Sequence, residues 1–487
     1  MSRKTLLIVL ILLSILALAL AACGGSQEAA STQAPAAQPT TAPATQATAA
    51  PAVQPTEAPA VELFGDSLRG GRLYDTWFEE LGVDAPEGNH PLWATQAASS
   101  DDDSVGSEDT WRCAGCHGLD YQGESDFPGI LDLAGSPAAD ILAMLQGSTN
   151  PDHDFSANMD EQALTDLALF ISEEMAPTSN VLDLTGAEAD GQTLFENTCK
   201  DCHGPQGLAI NFHPDTEPEY PATIANEDPV ELLTKVRFGQ PGTEMPSGID
   251  AGWTDQEMAD VIAYVATLPQ SDALSLGARL YDHWTEDLGI DTPEGDQPLW
   301  ATQTTNELSG DDTWRCKECH GWDYQGVDGV YGSGSHMTGF PGIFAAQDKS
   351  TDELMTALTA ENHDFSSYMS EEQLGALVLF IQEGMIDKTE YINADGSFIN
   401  GDATAGEALF TGTCARCHGE EGNDINFADG EEKEFMGTIA NDNPWEFMNK
   451  ASYGQTGAHE MPVGRNLGWS WQDIVNLATY AQTLPTE

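Results

Sequence analysis

The stretch TWRCAGCHGLDYQG, residues 110–123, returns 203 positions later as TWRCKECHGWDYQG, residues 313–326. Both copies contain Cys-x-x-Cys-His, and the same spacing occurs twice more outside the longer repeat. The four sets are Cys113, Cys116 and His117; Cys199, Cys202 and His203; Cys316, Cys319 and His320; and Cys414, Cys417 and His418. They use eight of the nine cysteines. Random placement of 9 Cys and 11 His in 487 residues would give about 0.004 such motifs.

Cys-x-x-Cys-His is the attachment signal for c-type haem. Two thiols one helical turn apart both reach the haem vinyl groups, and the adjacent imidazole becomes the proximal iron ligand. A thioredoxin-type Cys pair does not require a following His four times over, and a structural zinc site wants Cys and His pairs at finger-like spacing. Disulfides are the remaining alternative in an exported chain. The reading is four covalently attached haems, with no cysteine left as a catalytic nucleophile.

Export is read from the first 23 residues. Arg3 and Lys4 precede an apolar run from Leu6 to Ala22, and Leu20-Ala21-Ala22-Cys23 resembles the lipobox of bacterial lipoprotein signals, with Cys23 the lipidated residue. An uncleaved transmembrane anchor is the alternative. Residues 24–62 are rich in Ala, Pro, Thr and Gln without apolar periodicity, which reads as a disordered tether with a coil reach of about 35 Å. Removing the signal takes away two basic residues and no acid, leaving 15 basic against 80 acidic side chains, a net charge of −65. Such a surface repels nucleic acids and anionic lipid and favours a basic protein partner; adaptation to salt is the alternative.

The opening repeat belongs to a larger one. Residues 70–96 recur at 277–303, and 153–171 recur at 363–381, so a module of about 200 residues is duplicated. Each module holds two haem domains, predicted at 63–180 and 181–270, then 271–392 and 393–487. The fold class expected is all-α, four haem domains in tandem. In the second and fourth, a helix runs into the haem motif, and closing helices are capped by Thr254 and Ser470 and stopped by Pro.

Those two domains resemble class I c-type cytochromes. Gly191, Phe195 and Tyr264, then Gly406, Phe410 and Tyr480, match the family's Gly and aromatic of the first helix and the aromatic of the last. Physically, the Gly marks a close helix crossing. In the first and third domains, Gly70 with Tyr74 and Gly277 with Tyr281 look like the same pair, but an insertion carrying PEGxxPLWATQ precedes the Cys residues. The insertion reads as a packed loop, with Trp93 and Trp300 as core filler.

The distal ligand decides between electron transfer and open-site chemistry, and Met and His are the choices. The resemblance implies Met245 and Met461, each in a Met-Pro pair before the last helix. In the first and third domains both a His pair (His153, His363) and a Met pair (Met159, Met369) recur. The reading takes Met159 and Met369, with the two His as the alternative; Met175 and Met385 read as packing. His90, set against Asp296, and His283, set against Thr76, read as surface residues, and His213 and His336 as solvent-facing.

The expected function is an exported, lipid-tethered tetrahaem cytochrome carrying single electrons between redox partners of a respiratory chain, with no small-molecule substrate and no nucleic acid. The alternative is a haem enzyme, or the cytochrome subunit of an oxidoreductase, with an open distal site in domain one or three.

Overall fold

A computed structural model describes residues 63–95, 106–123, 127–213, 218–428 and 433–486. These lie in one compact unit, Ala60–Glu487. The signal with Cys23 and the tether lie outside the described residues.

The architecture is helical and repeats one motif of packing. The order begins α1 (Ser67–Leu81), α2 (Cys113–His117), α3 (Ala138–Leu145), α4 (Glu161–Leu169). It continues α5 (Glu188–Thr198), α6 (Lys200–His203), α7 (Pro221–Glu227), α8 (Pro229–Phe238), α9 (Asp255–Val265). The second half follows with α10 (Ala273–Asp287), α11 (Cys316–His320), α12 (Thr351–Leu358), α13 (Glu371–Leu379). It closes with α14 (Ala403–Leu409), α15 (Ala415–His418), α16 (Met436–Asp442), α17 (Pro444–Tyr453) and α18 (Trp471–Ala481). A two-residue antiparallel hairpin, β1 (Thr359–Ala360) and β2 (His363–Asp364), is the small departure from an all-α chain; it pairs Ala360 with His363. Among the described residues no helix is long and apolar enough to cross a membrane.

Four helix crossings organise four apolar clusters. At each a glycine faces the backbone of the partner helix. A Cβ on Gly191 would lie 2.0 Å from the Asp260 carbonyl oxygen, and one on Gly406 2.0 Å from that of Asn476. Gly70 against Asp166 (2.1 Å) and Gly277 against Ala376 (2.0 Å) repeat the arrangement. One turn on, an aromatic pair seals each crossing: Tyr74–Phe170, Phe195–Tyr264, Tyr281–Phe380 and Phe410–Tyr480, with ring centres 5.4–5.6 Å apart. Burying each large ring contributes about 1.5–3 kcal/mol. Thr254 and Ser470 form capping boxes with Glu257 and Asp473, so α9 and α18 begin where their sequences place the cap.

Neighbouring crossings are locked by the chain's scarce cations. Asp75 of α1, fully buried, receives Arg112 at 2.7 Å and Lys235 of α8 at 2.5 Å. Asp282 of α10 receives Arg315 at 2.5 Å and Lys450 of α17 at 3.7 Å. Between the halves, Asn466 donates to the Leu208 carbonyl (3.1 Å), and within the second half it donates to the Asp272 carboxylate that caps α10 (2.7 Å).

Candidate haem sites

Each Cys-x-x-Cys-His lies on a single helical turn that ends at a glycine with positive φ: Gly118, Gly204, Gly321 and Gly419, φ between +72° and +80°. Two cysteines three apart on one turn share a face. As expected, α5 leads into α6 through Cys199, and α14 into α15 through the turn Phe410–Cys414. All eight thiols are free. Burial pushes Cys113, Cys316, Cys319 and Cys414 up to about 12, and Cys116 and Cys199 to about 11. These are neutral thiols, unlike the thiolates of redox-active Cys pairs.

The repeated TWRC stretch is explained residue by residue. Thr110 and Thr313 accept the backbone N–H of His90 and Gln297 at 2.9 Å. Trp111 and Trp314 donate to Gly88 and Gly295 of the inserted loop at 2.7 and 2.9 Å. Arg112 and Arg315 make the buried pairs with Asp75 and Asp282. After the His, the carbonyls of Gly118 and Gly321 accept Tyr74 and Tyr281 hydroxyls at 2.7 and 2.6 Å. Tyr121 and Tyr324 adopt left-handed φ of 65° and 62°, a strained conformation for an aromatic residue held by packing on those same tyrosines. The insertion is thus a loop pinned to the motif, and Trp93 and Trp300 are buried. The first helices also bend: Thr76 and His283 leave helical φ/ψ, and Trp77 and Trp284 donate to the Trp111 and Trp314 carbonyls at 2.9 Å.

The motif imidazoles are oriented from behind. His117 Nδ1 lies 2.8 Å from the Pro128 carbonyl, and His320 Nδ1 2.8 Å from that of Pro341. A carbonyl only accepts, so Nδ1 carries the proton and Nε2 keeps its lone pair, the second-sphere contact typical of a metal-bound imidazole. Among the described residues the buried Nδ1 atoms of His203 and His418 find no partner. Burial holds His320 down at about 4 and lowers His117, His203 and His418 from the usual imidazole value.

Beside α2 lies a cavity of about 430 Å³, lined by Cys113, Cys116, His117, His153 and apolar side chains such as Ile141 and Leu145. Its counterpart beside α11, about 150 Å³, is lined by Cys316, Cys319, His320 and His363. Apolar walls, two thiols and an imidazole with a free lone pair form a donor set that fits a covalently held haem.

Met159 and Met369 do not line these cavities. They are 3 % and 4 % exposed, packed in the apolar clusters beside α4 and α13 together with Met175 and Met385. His153 and His363 face the motif imidazoles instead, with ring centres 6.2 Å from His117 and 6.2 Å from His320. Met245 and Met461 stand half-buried on the loops leading to α9 and α18.

Two surface expectations are corrected. His90 is 6 % exposed, stacked on Phe155, and its counterpart in the repeat is Gln297 rather than Asp296. The bend at His283 tucks its ring between Asp311 (2.6 Å) and Glu286 (2.9 Å). His213 is solvent-facing and pairs with Glu219. His336 is stacked on Tyr331 with Nδ1 3.3 Å from Glu318. The Asp75 and Asp282 locks were missed, although RLYD recurs in both repeats and signals them.

Comparison with known proteins bears on the second half of each module. Residues 188–269 match the family model for cytochrome c, and residues 401–480 that for cytochrome c oxidase, cbb3-type, subunit III. The chain is 28 % identical over 180 residues to the cbb3-type cytochrome c oxidase subunit CcoP of Rhodobacter capsulatus, covering 33 % of this chain and 59 % of that protein. It thus spans somewhat over half of the length of that relative. Among solved structures, thiosulfate dehydrogenase (TsdBA) from Marichromatium purpuratum, in its as-isolated form, aligns with 76 % of this chain and 86 % of its own at 19 % identity and a TM-score of 0.18. Two separate segments thus match cytochrome c family models, and each carries its own Cys-x-x-Cys-His turn on a glycine-aromatic helix crossing.

Proposed function

We propose that the protein is an exported tetrahaem cytochrome that passes single electrons between redox proteins of a respiratory chain, with haem domains at 63–180, 181–270, 271–392 and 393–487. The observation that carries this reading is the fourfold recurrence of one construction: a glycine crossing, an aromatic seal, and a Cys-x-x-Cys-His turn closed by a positive-φ glycine. A c-type haem bound there would supply a one-electron iron couple. The chain's own contribution is to hold Cys113 with Cys116, Cys199 with Cys202, Cys316 with Cys319, and Cys414 with Cys417 on one helical turn each for thioether attachment. His117, His203, His320 and His418 would serve as iron ligands from the motifs, and Met245 and Met461 would complete the ligand sets in the second and fourth domains. Cys23 carries the lipid that tethers the protein outside the cytoplasm through residues 24–62. The partners are proteins with basic docking surfaces.

Haem content of the purified chain, measured by pyridine haemochrome and intact mass, tests the count, with four per chain expected. Exposure of the reduced protein to carbon monoxide tests the carrier role. Unchanged spectra are expected from irons with both axial positions filled, and rapid binding at one or more haems would turn the reading towards an open-site enzyme.

A further inference from the structure

We propose that His153 and His363, rather than Met159 and Met369, are the distal ligands of the first and third haems, so that each module pairs a bis-histidine haem with a histidine–methionine haem. This rests on the haem-domain reading above, and four observations carry it. Two imidazoles sharing one metal ion hold their ring centres roughly 6 Å apart, since each nitrogen sits about 2 Å from the metal. The observed separations are 6.2 Å for His117–His153 and 6.2 Å for His320–His363, with interplanar angles of 72° and 76°. Both members of each pair line a cavity that also presents the two motif thiols.

Each distal ring is held in place by the local fold. His153 ends a short turn, Pro151–His153, capped by Asn150. His363 lies on the β1–β2 hairpin, whose pairing with Ala360 fixes its backbone. The hairpin's counterpart in the first module is the bridge between Gln146 and Asp154. Phe155 and Phe365 pack edge-on to the two histidines at 5.1 and 5.0 Å. His363 Nδ1 lies 2.9 Å from the Ala357 carbonyl, so it carries the proton and leaves the Nε2 lone pair for a metal. The methionines point the other way chemically: Met159 and Met369 fill apolar core outside both cavities.

Methionine ligation raises a haem potential relative to histidine. Haems held by His153 and His363 would therefore take lower potentials than haems held by Met245 and Met461.

The test uses the full-length holoprotein. Low-temperature electron paramagnetic resonance and near-infrared magnetic circular dichroism of the oxidised wild type are expected to show two bis-histidine and two histidine–methionine centres. A redox titration should resolve two waves of equal amplitude. Four methionine-ligated centres would overturn the proposal, whereas fewer than four haems per chain would count against the domain reading instead. In the variants, His153→Ala and His363→Ala are expected each to convert one haem to high spin, recovered to low spin by added imidazole, while Met159→Leu and Met369→Leu leave all haems low-spin. High-spin haem in the methionine variants, with unchanged spectra in the histidine variants, would equally overturn it. If the histidine variants fail to mature, the wild-type spectra decide.

Discussion

Gly191 and Gly406 carry some of the tightest steric demands among the described residues, because the atoms a methyl group would meet are backbone carbonyls rather than movable side chains. Gly191→Ala or Gly406→Ala must force the helices apart and is expected to cost about 1–3 kcal/mol or more, despite the better helix propensity of alanine. Gly412 is the control. It lies in the helical turn Phe410–Cys414 with nothing within 4 Å of an added Cβ, so Gly412→Ala should be neutral or stabilising by up to about 1 kcal/mol. Urea midpoints of the three variants would check this, and equal midpoints would sink the account. The two glycines were legible from sequence through the resemblance to class I c-type cytochromes, whose first helix carries a Gly at a fixed offset before the Cys pair. The distal residues of the first and third domains were not. His153 and Met159 are six residues apart on either side of a turn, and only the fold decides which one faces His117 and which the core.

At the scale of elements, the seam between the third and fourth helix crossings is closed by one buried lysine. Lys388 is 3 % exposed and donates to the carbonyls of Trp322 (2.8 Å) and Trp445 (2.9 Å) while lying 4.7 Å over the Tyr324 ring. Burial lowers it from 10.5 to about 7, with Asp323 and Glu446 pulling in the opposite sense. The sign follows from proton counting: between about pH 7 and 10.5 the unfolded chain binds this proton and the folded one does not, so stability rises with pH across that window. One such group gives a slope of up to about 1.4 kcal/mol per pH unit. Lys388→Met should remove it, so the stability difference between variant and wild type, measured by urea unfolding at several pH values from 7 to 10, should change with pH. A difference independent of pH would mean that the lysine stays charged in the fold. Helix starts such as Thr254 and Ser470 were readable because capping is local chemistry. The bends at Thr76 and His283 were not, since they accompany a long-range contact, the anchoring of Trp77 and Trp284 on the backbone ahead of the Cys motif.

For the whole molecule, the composition has a spatial consequence. Only 17 basic residues stand against 80 acidic ones, and the described cations are largely committed to internal seams. Arg112 and Lys235 share Asp75, Arg315 and Lys450 meet Asp282, Arg279 meets Asp287, and Lys317 pairs with its neighbour Glu318. What remains to face solvent is overwhelmingly carboxylate, and the sequence alone could not reveal this sorting of the cations. A partner feels that field over roughly a Debye length, about 30 Å at 0.01 M ionic strength and about 8 Å at 0.15 M. Electron exchange with a small basic redox protein should therefore begin near the steered association limit, about 10⁸ M⁻¹s⁻¹, and fall by an order of magnitude or more across that range. Exchange with a neutral small-molecule oxidant should barely change. Stopped-flow rates at haem wavelengths, taken with both reagents over the same salt series, separate docking from intrinsic reactivity. A basic partner whose rate ignores salt would remove electrostatic docking as the function of the acidic surface and leave adaptation to a saline medium as its explanation, with the proposed electron-carrying role untouched.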